Sequence, residues 1–146
     1  MIIRGAVKED LLQIFDIERE AISPPWSHDA LVDELSREDS FFVVAIGDDG
    51  SIAGFAIMRK VGDDGELLQI AVNASMRGCG IGDLLMTAVI EYAKERSFLS
   101  VFLEVRISNI AATRLYEKYG FEAARVRKDY YDSPFEDALV MVKVIN

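Results

Sequence analysis

Three glycines alternate with two other residues in Arg77-Gly78-Cys79-Gly80-Ile81-Gly82-Asp83, and a run with helical spacing begins at Ile81. A helix N-terminus carries unpaired N–H groups and partial positive charge, so it attracts anions. Glycines there remove the side chains that would hold a phosphate away from the amides, and Arg77 adds a cation whose forked donors match phosphate oxygens. A second group lies downstream. Glu104 interrupts the apolar stretch "LSVFLEV" (99–105), and Asn109 and Tyr116 follow on the next helical segment. A carboxylate in such a strand is costly unless it is paired or put to work. One reading is an ion pair with neighbouring Arg106 or another cation. The other is a carboxylate put to functional use.

Two common phosphate loops do not account for the glycines. No Lys-Ser or Lys-Thr follows the last one, as a nucleoside-triphosphate loop requires. The dinucleotide fingerprint also fails, because Asp83, Leu84 and Leu85 follow Gly82 where its third glycine belongs. Cys79 has no evident base partner and reads as a bystander thiol. His28, just inside a helix N-terminus, reads as a surface residue.

The elements that must position these groups can be read from spacing. "MIIRGA" predicts a short strand, and residues 7–22 a helix with Leu11, Leu12, Ile14, Phe15 and Ile22 apolar. Pro24 and Pro25 end that helix, and Ser27 suits the N-cap of a second one running to about Arg37. Three apolar runs follow, separated by Asp-Asp-Gly at 48–50 and 63–65, which predicts an antiparallel meander ending in Glu66–Val72. The helix after the glycines, about 81–96, places Ile81, Leu84, Leu85, Ala88 and Tyr92 on one face. The run 99–105 predicts a strand covered on both faces. A helix over 109–119, with Ala112, Leu115, Tyr116 and Tyr119 apolar, should end at Gly120. Strands at about 121–129 and 136–145 close the chain. The outcome is an α/β fold, a mixed central sheet of about seven strands flanked by four helices, forming one domain over 1–146. Its parallel crossover joins strand 66–72 to strand 99–105 through the helix after the glycines.

Composition bounds the function. With 51% hydrophobic residues in 146 the chain can bury a sizeable core, but no run is long enough to cross a membrane. One cysteine and one histidine leave little to build a metal site, and none is expected. A net charge of −9 argues against broad nucleic-acid binding. The first fifty residues hold four basic and twelve acidic side chains, which suits either solubility or attraction of a cationic substrate. A cytoplasmic location is expected.

Arg-x-x-Gly-x-Gly at 77–82 resembles the acetyl-coenzyme A signature of the GCN5-related N-acetyltransferase (GNAT) superfamily, and the element order resembles its fold along the whole chain. "PPWS" (24–27), "LLQIAV" (67–72), "LEVR.SN" (103–109), "LYEKYGF" (115–121) and "RKDYY…EDALVM" (127–141) are most similar to bacterial ribosomal-protein alanine N-acetyltransferases. The resemblance implies acetyl-CoA as co-substrate. Its pyrophosphate would lie on the amides of Arg77–Asp83, and its pantetheine arm along Ile70, Ala71 and Val72, with a contact from Asn109. It implies Glu104 as general base and Tyr116 as general acid, and a peptide groove lined by Tyr130 and Tyr131. Pro25 and Trp26 would form an apolar lip, unless Trp26 is simply core. The implied target is the N-terminal alanine of the eighteenth small-subunit ribosomal protein. A broader protein N-terminal acetyltransferase and a small-amine acetyltransferase remain alternatives. A module that only senses acetyl-CoA should lack Glu104 or Tyr116, and both are present.

Overall fold

The structure is a computed structural model and describes residues 1–145. The strands are β1 (Ile2–Gly5), β2 (Ser40–Ile46), β3 (Ile52–Val61), β4 (Asp64–Val72), β5 (Ser100–Arg106), β6 (Glu122–Asp132) and β7 (Phe135–Val144). The helices are α1 (Leu11–Ala21), α2 (His28–Leu35), α3 (Ile81–Glu95) and α4 (Ile110–Lys118). One sheet has the order β1-β2-β3-β4-β5-β7-β6, and every pairing is antiparallel except β4 with β5. The expected α/β architecture, with its parallel crossover through α3, is what forms.

Period-2 alternation sends neighbouring residues of the central strands to opposite cores. Val43, Ala45, Ala56 and Met58 pack with Ile81, Leu85, Met86, Val89 and Ala93 of α3. Phe42, Val44, Phe55 and Ile57 pack with Leu11, Ile14 and Ile17 of α1 and Leu31 of α2. On α3 the buried stripe includes Met86, Val89 and Ile90, while Leu84, Ala88 and Tyr92 are only partly buried at its flanks. Tyr92 stacks there on Phe41, with ring centroids 4.0 Å apart.

Three expectations need correcting. The 63–65 turn is in fact the two-residue turn Gly62-Asp63, because Val61 pairs with Asp64 and Asp64 and Gly65 belong to β4. Gly65 is glycine for packing: a methyl group there would sit 2.8 Å from Met58 Sδ and 2.9 Å from the Phe98 ring. β5 is buried on one face only. Val101, Leu103 and Val105 join the α3 core, while Phe102, Glu104 and Arg106 stay half-exposed on the other face. Residues 8–10 form a separate 3-10 turn before α1.

The sheet opens at its middle. β4 and β5 pair only at Gly65–Val101 and Glu66–Phe102, although β4 continues to Val72 and β5 to Arg106. Past that point their facing edges have no ladder between them. β4 also bulges at Leu68, since Ile57 pairs with Gln69 and Met58 with Leu67. An extra residue in one strand bends it and increases its twist.

Candidate active site

A cleft of about 680 Å³ occupies the gap where β4 and β5 part. Its lining brings together Ile70 of β4, Glu104 of β5, Asn109 and Tyr116 of the α4 region, Pro25 and Trp26 of the α1–α2 loop, and Tyr130 and Tyr131 of β6. The two residues read as base and acid therefore share one cavity with the groove residues. Ala71, Val72 and the turn Arg77–Asp83 lie outside this lining, at the far end of β4 and beyond it.

Gly78 and Gly80 both have φ of +81°, the left-handed region that side chains rarely adopt. A methyl group on either would meet no atom within 4 Å, so no protein fills the turn. Gly80 is the N-cap of α3 and supplies no side-chain acceptor, which leaves the amides of the first turn open to an anion. Asp83, in that first turn, is directed away: Lys118 Nζ and the Tyr119 hydroxyl both donate to its Oδ1 at 2.7 Å. Those partners hold its carboxyl below the usual range. Its Oδ1 is therefore committed within the protein. Cys79 is exposed and Sγ lies 3.9 Å from the Arg77 carbonyl, with no base beside it. An open glycine turn ahead of an uncapped helix, and an unpaired strand edge leading to the cleft, fit a pyrophosphate carried on an extended amide-bearing arm.

At the β5 end of the cleft Arg127 Nη1 donates to Glu104 Oε1 at 2.8 Å. The partner of Glu104 is thus a cation two strands away, and Arg106 pairs instead with Glu136. Glu104 Oε2 is buried and, among the described residues, no donor meets it at hydrogen-bonding geometry, although the Tyr130 hydroxyl lies close enough to the carboxylate to be influenced by it. Tyr116 is buried at 8% exposure, and burial, then the Tyr131 phenol, pushes its pKa well above the usual phenol range. Asn109 caps α4, its Oδ1 accepting from the Ala112 amide at 3.1 Å, so its amide nitrogen is the part left for a ligand. Asp129 adopts φ of +53° where β6 bulges between Arg127 and Tyr131. The bulge sets Tyr130 and Tyr131 edge to face, 5.0 Å apart, each ring under an arginine: Arg127 at 4.5 Å and Arg106 at 4.2 Å. The Glu104 carboxylate acting on its hydroxyl, then burial, pushes Tyr130 up to about 12.

Residues 10–121 match the Acetyltransferase (GNAT) family. The chain belongs to the GNAT family. It is 36% identical to the [ribosomal protein bS18]-alanine N-acetyltransferase of Haemophilus influenzae, over 90% of each chain. It is 33% identical to the corresponding Escherichia coli K12 enzyme, over 94% of this chain and 93% of that one. The crystal structure of the E. coli ribosomal-protein-S18-alanine N-acetyltransferase superposes with a TM-score of 0.90 over 99% of this chain and 94% of that one, at 33% identity. Ard1 of Thermoplasma volcanium superposes at 0.92 with 29% identity, over 99% and 97%. This GNAT protein is accordingly an acetyl-CoA-dependent N-acetyltransferase.

Several residues of the GNAT cleft were not singled out in the sequence. Glu66 lines it, and burial followed by the charge of Glu104 raises its pKa. It stands between the Asp63-Asp64-Gly65 segment and the apolar run from Leu67, where an acidic residue reads as part of a polar turn, so no local signal marked it. Gln69 donates to Glu18, which is fully buried on α1 and also accepts the Trp26 amide at 2.8 Å. Trp26 is thus both packed on the second core and a wall of the cleft. The acids lining the cleft, Glu66, Glu104 and Asp132, come from β4, β5 and β6. None comes from the acidic first fifty residues, which contribute only Ala21 to Trp26 there. His28 lies exposed, its ring edge-on to Phe15.

Proposed function

We propose that this chain transfers acetyl from acetyl-CoA to a protein N-terminal α-amine, with the N-terminal alanine of ribosomal protein bS18 as its target. The convergence of Glu104, Tyr116 and Asn109 with Pro25, Trp26, Tyr130 and Tyr131 in one cleft carries this reading. The names of the relatives supply the target. A cavity of about 680 Å³ is in the range of sites for drug-sized ligands, which suits the first residues of a peptide better than a small amine.

Acetyl-CoA supplies the acyl group as an activated thioester, held by the amides of Arg77, Gly78, Cys79, Gly80, Ile81, Gly82 and Asp83, by the Arg77 guanidinium, by the main chain of Ile70, Ala71 and Val72, and by Asn109. An α-amine has a pKa of about 7.7–8.0, so much of it is protonated at neutral pH and cannot attack. Glu104 takes that proton. Arg127 occupies Oε1, so Oε2 is the oxygen left to receive it. Tyr116 holds a proton at its hydroxyl for the leaving group, and its raised pKa keeps it there. Amides on the free edge of β4 stabilise developing oxyanion charge. No covalent enzyme intermediate is required.

Mass spectrometry of peptides beginning Ala, Ser, Met and Glu, each incubated with enzyme and acetyl-CoA, tests this. Strong preference for alanine supports the bS18 reading. Equal turnover of all four peptides would establish instead a broad N-terminal acetyltransferase.

A further inference from the structure

Arg106 ends β5 two residues beyond Glu104, on the same face, and its guanidinium reaches both walls of the cleft. Nε and Nη2 donate to the Ser23 carbonyl at 3.1 and 2.9 Å, on the α1–α2 loop. Nη1 donates to the Pro134 carbonyl at 2.9 Å and Nη2 to the Ser133 carbonyl at 3.2 Å, both in the β6–β7 turn. Glu136 lies 3.3 Å from Nη1, and the Tyr131 ring lies 4.2 Å from the guanidinium carbon. The Ser23 hydroxyl crosses directly to the Ser133 carbonyl at 3.0 Å. The Arg106 side chain is only 15% exposed, and every donor nitrogen is engaged within the protein. None is left over for a substrate.

We propose that Arg106 is a positioning residue for the acceptor peptide: it fastens the Ser23–Trp26 lip to the β6–β7 hairpin and so fixes the spacing of the two groove walls. The inference rests on reading the cleft as a peptide groove. Only a planar fork suits the task. Three carbonyls and a carboxylate on two separate segments need several donors in fixed directions, whereas a lysine ammonium offers three on one flexible point charge. The lip has a second anchor beneath it, where Glu18 accepts the Trp26 amide. With that anchor intact, loosening the Arg106 side frees the outer part of the lip and leaves Glu104 and Tyr116 in place. The effect therefore belongs to peptide binding and not to the chemical step.

Arg106→Lys and Ser23→Ala are to be compared with the unaltered enzyme at saturating acetyl-CoA, using an alanine-initiated hexapeptide and alanine amide as acceptors, with thermal melts alongside. The peptide KM should rise about tenfold in Arg106→Lys and about threefold in Ser23→Ala, with kcat within about twofold, as expected for losing several and one hydrogen bond. Alanine amide, too short to touch both walls, should keep its kcat/KM. A parallel loss for both acceptors, or an unchanged peptide KM in folded Arg106→Lys, overturns the proposal. Should that variant not fold, Arg106→Gln, which keeps a planar end with fewer donors, takes its place with the same expected and overturning outcomes. An unaltered enzyme that acetylates alanine amide but no peptide would instead reject the groove reading itself.

Discussion

Arg127 and Glu104 are joined at 2.8 Å across an intervening strand, since β7 lies between β6 and β5. The bond runs diagonally over β7, past Val140, the register partner of Glu104, and Ala138, the register partner of Arg127, which puts only a methyl group in the way. The pair leaves one carboxylate oxygen committed and the other buried without a partner. An orphaned buried acceptor costs stability, and such groups concentrate where a ligand supplies the missing donor. An incoming amine is such a donor.

Replacing Glu104 by Gln should therefore lower kcat by about 10²–10⁴ with little change in coenzyme A affinity, as for loss of a positioned base. Arg127→Met, which leaves the carboxylate free to turn, should cost about tenfold. Initial rates with an alanine-initiated peptide, and calorimetry with coenzyme A, measure the two effects. Undiminished turnover in Glu104→Gln would remove the base assignment.

Tyr116 carries a pH prediction. Its phenol pKa is raised by burial, so it stays protonated well above pH 10 and adds no alkaline limb to the rate profile below that point. Tyr116→Phe should reduce kcat by about 10²-fold or more across the whole range. A wild-type rate that falls between pH 9 and 10, with the fall absent from Tyr116→Phe, would show that burial does not raise the phenol, and undiminished turnover in Tyr116→Phe would remove the acid assignment.

The glycine turn separates two reasons for glycine. At Gly80 a methyl group meets no protein atom, yet φ is +81°. Gly80→Ala should then destabilise by about 1–2 kcal/mol through backbone conformation alone. It should also weaken acetyl-CoA binding, because the new methyl group projects into the open space assigned to the ligand. Thermal melts and coenzyme titration test the two parts separately. Unchanged coenzyme affinity would place the pyrophosphate elsewhere.

These contrasts show what the sequence could and could not reveal. The Arg77–Gly82 turn and the helix end at Gly120 were legible because left-handed backbone demands glycine, and Gly120 has φ of +90°. The 63–65 turn misled because Gly65 is glycine for lack of space, which composition cannot distinguish from a turn. Glu104, Asn109 and Tyr116 stood out as polar groups at telling positions. Their coupling did not. Arg127 reaches Glu104, and Arg106 reaches Ser23, through strand order and a β6 bulge that no local spacing encodes. The half-open face of β5 was hidden for a related reason. Phe102 made the run look apolar throughout, while the parting of β4 and β5 decides which face is covered.

Glu18 provides the last test, through stability. It is fully buried on α1, and burial raises its pKa against the opposing effects of the Trp26 amide and the Gln69 side chain. A carboxyl whose folded pKa lies above its unfolded value binds its proton more tightly when folded. Stability is therefore greatest below the unfolded value. It is lost as pH climbs from there through the folded pKa, and the full penalty applies above it. Glu18→Gln removes the ionisation while keeping an oxygen to accept from Trp26 and Gln69. The variant should melt close to wild type at pH 4 and progressively higher than wild type towards pH 8. The lip that Glu18 anchors should stay in place, so peptide KM should change little. A melting difference that is constant with pH, or that reverses sign towards pH 8, would show that the Glu18 pKa is not raised in the folded protein.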